Sequence, residues 1–275
     1  MMSATITASD INKLRQATGA GMLDCRKALT ESNGDFEAAI DWLRKQGQKV
    51  AAKRSDREAK EGVVIAKTTA DNKTGMIVCI SCETDFVSKN ADFVAFATSI
   101  ADAAVAGNVK SVEELNEVTI NGAKVADMIN DKLAAIGEKI AISRFERVEA
   151  PYVASYIHGA NRMGVLVGMS AESAEAGKDV AMQIAAMNPL AIDETSVSPE
   201  LIAREKEIAI EQIKAEGKPA EMAEKIAMGK VNKFFKENTL MAQPFVKDSS
   251  KSVGDYLKSV QADLKITEFK RVALG

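Results

Sequence analysis

The chain reads as an α+β protein: a small three-helix N-terminal module, a duplicated α/β core with antiparallel sheets, and an inserted antiparallel helical hairpin. Three observations predict this. Residues 1–50 carry apolar side chains at helical spacing, punctuated by glycines. From residue 62 onward, β-branched runs alternate with helical segments. The pattern of residues 62–150 then returns over residues 151–275, with residues 198–238 as an insertion.

In the N-terminal module, Thr7 to Asp10 supplies capping residues before Ile11 and Leu14, and Gly19 closes that first helix. Met22, Cys25, Ala28 and Leu29 share one face of a second helix ending at Asn33-Gly34. Phe36, Ala39, Ile40 and Leu43 mark a third, with Gly47 as its expected stop. The connection Thr18-Gly19-Ala20-Gly21-Met22-Leu23 admits two readings, a glycine-borne tip presenting Met22 and Leu23 or a loop whose apolar pair is simply core. Residues 51–61 lose large apolar side chains and read as a charged linker or solvated helical tether.

Gly62–Lys67 and Met76–Cys82 form a predicted hairpin around the turn Asp71–Gly75. A short connection, Thr84-Asp85-Phe86-Val87, leads to a helix carrying Phe93, Phe96, Ala97, Ile100 and Ala104 on one side. Another helix spans Val125 to Leu133, and Lys139–Phe145 alternates as a third strand. In the second copy Tyr152–Tyr156 and Met163–Met169 match the hairpin, with His158–Arg162 as its turn. Val180, Ile184 and Met187 mark the following helix, and Leu264–Val272 matches the closing strand. The insertion starts at Ser198-Pro199, a good helix opening, and breaks at Gly217-Lys218-Pro219. Leu201, Ile202, Ile208 and Ile213 run along its first helix and Met222, Ile226, Val231, Phe234 and Phe235 along its second, with Glu221–Lys225 as an i,i+4 pair. Two such helices make a projecting arm about 30 Å long.

The duplication bears on function. Asp85 and Phe86 could be a structural staple at a helix start, or an acidic–aromatic tip presented to a partner. A staple demanded by the fold belongs in both copies, yet Ser173-Ala174 stands where the first copy has Asp85-Phe86. The asymmetry moves weight toward function.

Several chemistries find no support. A net charge of −3 argues against a nucleic-acid partner. No uninterrupted apolar run reaches bilayer-spanning length, so no membrane partner is expected. The start has no signal-peptide pattern and the three cysteines cannot all pair, which points to a cytoplasmic protein. His158 is the only histidine, so a multi-histidine metal site is ruled out. Cys79 and Cys82 form a CxxC, but residues three apart in a strand face opposite ways. A redox or metal enzyme built on that pair is therefore a remote reading. No phosphate-binding loop motif occurs, no cofactor is implied, and no catalytic constellation is found.

Leu14–Leu29, with Thr18-Gly19-Ala20-Gly21-Met22-Leu23 inside it, resembles the N-terminal signature of the bacterial translation elongation factor Ts family. So do Cys82-Glu83-Thr84-Asp85-Phe86-Val87, Ile136-Gly137-Glu138, Tyr156-Ile157-His158-Gly159 and Gln243-Pro244-Phe245-Val246, in the right order along the chain. The resemblance implies a ubiquitin-associated-like N-terminal domain and a guanine-nucleotide exchange factor, not an enzyme, acting on the GTPase elongation factor Tu. It implies that Thr84, Asp85, Phe86 and Val87 disturb the Mg2+ and phosphate site of that GTPase. It further implies that Arg15, Met22 and Leu23 contact the nucleotide domain, and Ile136, Gly137 and His158 make core contacts. Some members continue into a C-terminal helix, whereas this sequence ends at Val272-Ala273-Leu274-Gly275, so grip on the nucleotide domain is expected either to be weaker or to lean more on Met22 and Leu23. Dimerisation through the arm is left open. The alternative is a non-catalytic adaptor using the N-terminal module and the arm.

Overall fold

A computed structural model describes residues 6–54, 56–215 and 220–275. The N-terminal module comprises α1 (Ala8–Thr18), α2 (Met22–Glu31) and α3 (Phe36–Arg54). Thr7 caps α1 through a reciprocal capping box with Asp10, and Gly19 closes it in the left-handed conformation. Leu14, Cys25, Ala28, Leu29, Ala39 and Leu43 form its core. Two expectations change here. Met22 does not join the buried face, because it stands at the first position of α2, beyond the core's edge. Gly47 does not stop α3, which runs on to Arg54. A Cβ at Gly47 would lie 2.7 Å from that of Ala134 and 3.3 Å from the carbonyl of Asn130, so the glycine permits close helix contact.

The first copy contains β1 (Glu61–Thr68), β2 (Thr74–Cys82), the single turn α4 (Asp85–Ser88), α5 (Ala91–Ala106) and α6 (Val112–Glu117). A two-residue hairpin, β3 (Thr119–Ile120) and β4 (Ala123–Lys124), precedes α7 (Val125–Ile136) and β5 (Ala141–Glu149). The second copy has β6 (Tyr152–His158), β7 (Met163–Met169) and α8 (Ala174–Met187), then a 3-10 turn at Glu194–Ser196. The arm follows as α9 (Pro199–Ala215) and α10 (Ala220–Asn238). The chain closes with β8 (Pro244–Phe245), β9 (Asp248–Ser252), α11 (Val253–Val260) and β10 (Ile266–Ala273).

The two three-stranded sheets are antiparallel, ordered β1-β2-β5 and β10-β7-β6, so the hairpin's second strand is central in each copy. The duplication extends to irregularities. In the first sheet the register slips between Cys79 and Ile80, leaving Ser143 of β5 unpaired. In the second it slips between Ile266 and Glu268, at Thr267, the residue aligned with Ser143. The sheets pack face to face. Val64, Ala66, Ile77, Cys79 and Val148 meet Val153, Leu166 and Val272 between them. Their other faces bury Val63, Ile65, Met76, Val78, Ile80 and Cys82 under α5 and α7, and Val165, Val167 and Met169 under α8 and α11. This is why every residue of β2 is buried and alternation alone does not tell its two faces apart. Cys79 and Cys82 lie in different clusters, on opposite faces, and both are free thiols.

The arm has its own small core of Ala209, Ile213 and Ala227, flanked by Ile210 and Ile226. Ile208 lies outside it and is exposed, as is Met187 at the end of α8. Gly217-Lys218-Pro219 and the side chains of Glu221 and Met222 fall outside the described positions. Leu190, Ala191 and Ile192 are hydrogen-bonded to Asn238, Leu240 and Met241 at the root of the arm. Among the described residues no helix is long and apolar enough to cross a membrane, and no group of three His, Cys, Asp or Glu could hold a metal.

Candidate functional site

The Thr84–Val87 stretch follows directly from β2, whose burial on both faces gives it a rigid base. Thr84 takes an extended conformation at the N-cap, Asp85–Ser88 makes one helical turn, and the amides of Lys89 and Asn90 bond back to the carbonyls of Asp85 and Val87. Asn90 then caps α5 by accepting from the amide of Asp92 at 2.8 Å.

Within that turn the side chains divide. Val87 packs against the core of the first copy. Phe86 is 85% exposed, so it staples nothing. Such an exposed phenyl ring carries a large apolar area available for burial elsewhere. Asp85 accepts from the ammonium of Lys89 at 2.7 Å, and this bond holds its carboxyl below the usual range.

The turn is pinned from outside the local sequence. The Glu138 carboxylate accepts from the amides of Glu83 (3.1 Å) and Thr84 (3.0 Å) and from the Thr84 hydroxyl (2.7 Å). Glu83 in turn accepts from the amide of Lys139 at 2.6 Å and from Arg57 at 3.0 Å. Beneath them burial pushes the Cys82 thiol up to about 12, with the charges of Glu138 and Glu61 adding to the effect. Neither carboxylate stood out as a candidate residue; the signal was present in Ile136-Gly137-Glu138, whose last member is the anchor.

The same corner gathers most of the sequence candidates. Gly137 caps α7 in the left-handed conformation and its amide bonds to the carbonyl of Leu133, leaving Ile136 exposed beside it. A cleft of about 690 Å3 runs between the N-terminal module and the first copy, lined by Thr18, Gly19, Ala20, Phe86, Val87 and Ile136 among others. Arg44 of α3 faces Asp131 of α7 across it at 3.7 Å. Next to Gly19 and Ala20, Leu23 is 81% and Met22 46% exposed, which favours the tip reading of that loop. Arg15 is exposed on the last turn of α1, its carbonyl accepting from Gly19 at 2.7 Å. His158 is not part of this corner. It ends β6, one residue before the turn in which it was expected, and its ring lies 3.0 Å from the Tyr156 hydroxyl.

A sequence model described as Elongation factor TS matches residues 83–275. The chain belongs to the elongation factor Ts family. Curated relatives named Elongation factor Ts agree over nearly the whole length. The protein of Flavobacterium psychrophilum is 51% identical over 99% of this chain and 100% of its own. That of Christiangramia forsetii is 50% identical with the same coverage. That of Methylococcus capsulatus is 46% identical over 98% of this chain and 92% of its own. Membership makes the chain a translation elongation factor, and the activity of the elongation factor Ts family is guanine-nucleotide exchange on elongation factor Tu.

Proposed function

We propose that this chain releases GDP from elongation factor Tu by pressing the Thr84–Val87 turn against the Mg2+ and phosphate side of the GTPase, as an exchange factor of the cytoplasm. The observation that carries the reading is Phe86, an exposed phenyl ring on a turn that Glu138 and β2 hold in place. The ring fills an apolar slot on the partner, and the ionised Asp85 beside it perturbs a cation site. Mg2+ bridges nucleotide phosphates and protein, so losing its contacts removes much of the affinity for GDP. The factor binds nucleotide-free GTPase more tightly than the GDP form. By linkage GDP binds more weakly to the complex, and no covalent step is needed.

Arg15, Met22 and Leu23 grip the nucleotide domain in this reading, and Ile136, Gly137 and His158 make core contacts elsewhere on the GTPase.

The test is release of fluorescent GDP from elongation factor Tu with a substoichiometric amount of the chain and excess GTP. Acceleration that is lost in Asp85→Ala and Phe86→Ala is expected. Tight binding without acceleration would instead make the chain an adaptor.

A further inference from the structure

We propose that Glu138 is a positioning residue for nucleotide exchange: it acts through the Thr84–Val87 turn and sets the angle at which Phe86 is presented. The inference rests on the reading of that turn given above.

Three hydrogen bonds converge on one carboxylate. Glu138 accepts from two consecutive amides, those of Glu83 and Thr84, with one oxygen, and from the Thr84 hydroxyl with the other. These two amides come just before Asp85, where β2 has ended and the helical ladder of α4 has not begun. The strand pairing of β2 ends at Cys82, so the direction in which the chain leaves β2 is set by the group these amides point at. Bonds to an ionised acceptor are stronger than neutral ones, and three of them fix an orientation that one would leave free. A four-residue helix cannot hold its own geometry, because forming one turn orders several residues for little hydrogen-bond gain.

The bracket is reciprocal. Glu83 accepts from the amide of Lys139, the residue after Glu138, so the end of β2 and the α7–β5 connection clamp each other through side chains separated by more than fifty positions. The Ile136-Gly137 turn is on the same connection, so Phe86 and Ile136 are held in one frame on the shared cleft. Ser173-Ala174 of the second copy introduces α8 directly, with no intervening turn to orient. The corresponding corner of that copy is held by a hydroxyl, Ser170, which accepts from the amide of Lys265 at 2.9 Å.

Displacement of a metal contact demands placement to about an ångström, and a misplacement of that size costs up to about a hundredfold in a positioned reaction. Glu138→Ala is therefore expected to lower the limiting rate of GDP release, at saturating factor, by about tenfold or more. Glu138→Gln keeps an amide-accepting oxygen and should recover most of that rate. The decisive measurement is a double-mutant cycle with Phe86→Ala, read as limiting release rates with melting temperatures as a check on folding. If Glu138 works through Phe86, Glu138→Ala adds little once Phe86 is gone. Independent, multiplying effects in the cycle overturn the proposal, as does a wild-type rate for folded Glu138→Ala. A wild-type rate for Phe86→Ala alone would sink the reading of the turn itself, a separate outcome. Should Glu138→Ala melt below the assay temperature, Glu138→Asp, one methylene short of the two amides, carries the same cycle.

Discussion

Gly47 offers a test of how the N-terminal module is seated, because two opposing effects of Gly47→Ala can be weighed. In a helix interior alanine is better than glycine by about 1 kcal/mol. Here, however, the new Cβ would lie 2.7 Å from the Cβ of Ala134, whereas carbons in good contact stand about 3.5–4.0 Å apart. The shortfall is about 1 Å, and Ala134 has no flexible end to swing away. Either α3 lifts from α7 or both backbones bend, at a typical overpacking cost of about 1–3 kcal/mol. Overpacking wins, for a net loss of about 1 kcal/mol. Gly229 is the control. It lies within α10 with nothing within 4 Å of the position its Cβ would take, so Gly229→Ala should gain about 0.5–1 kcal/mol. Urea unfolding followed by circular dichroism reads both changes as midpoint shifts at constant slope. Lifting α3 would also part Arg44 from Asp131 and move the Met22–Leu23 tip relative to Phe86, so weaker binding to elongation factor Tu should accompany the stability loss in Gly47→Ala. Equal stabilisation of the two variants would refute the close contact between α3 and α7.

Three further outcomes follow from the side-chain environments. Phe86→Ala should leave stability within about 0.5 kcal/mol of the parent in the same urea titration, since a ring 85% exposed contributes little to the core; a large loss would restore the staple. Cys82 has a folded-state value raised to about 12 from 9.0, so the unfolded chain loses that proton first; the associated stability is fully present below pH 9 and falls between 9 and 12. Cys82→Ser should flatten that alkaline loss, and an unchanged slope would argue against burial of the thiol. Asp179, nearly fully buried, accepts from the Tyr256 hydroxyl at 3.0 Å and from Lys247 at 2.6 Å; Asp179→Ala strands the hydroxyl and should cost about 1–3 kcal/mol, seen as a lower melting temperature.

Local signals were enough for much of the molecule. Thr7 and Ser198 cap the helices they precede because a cap needs only a side chain and an amide two or three residues on. The odd spacing of Cys79 and Cys82 put them on opposite faces before any fold was known, since a pleated strand has a period of two wherever it is placed. The internal repeat was legible as well, and the structure adds bulges at the aligned residues Ser143 and Thr267. The contrast between Asp85-Phe86 and Ser173-Ala174 likewise singled out the exposed turn.

What remained depended on contacts across the chain. Gly47 has the composition of a helix stop, and only the approach of Ala134 explains why α3 continues through it. Ile208 follows helical spacing but faces outward, because its partner face is set by where α10 packs. Met22 and Leu23 have the hydrophobicity of core residues, and their exposure follows from their position at the start of α2, beyond the reach of the small core. The grip of Glu138 on the amides of Glu83 and Thr84 spans more than fifty residues, and no periodicity encodes which distant carboxylate will satisfy two amides at the end of a strand. Sequence by itself determined the main helices and strands, the repeat and the residues available for display; the short elements α4, α6, β3–β4, β8–β9 and α11 were not legible in it. Tertiary structure decided which were buried, which were shown, and how firmly Phe86 is held, because burial and hydrogen-bond satisfaction are properties of the assembled chain.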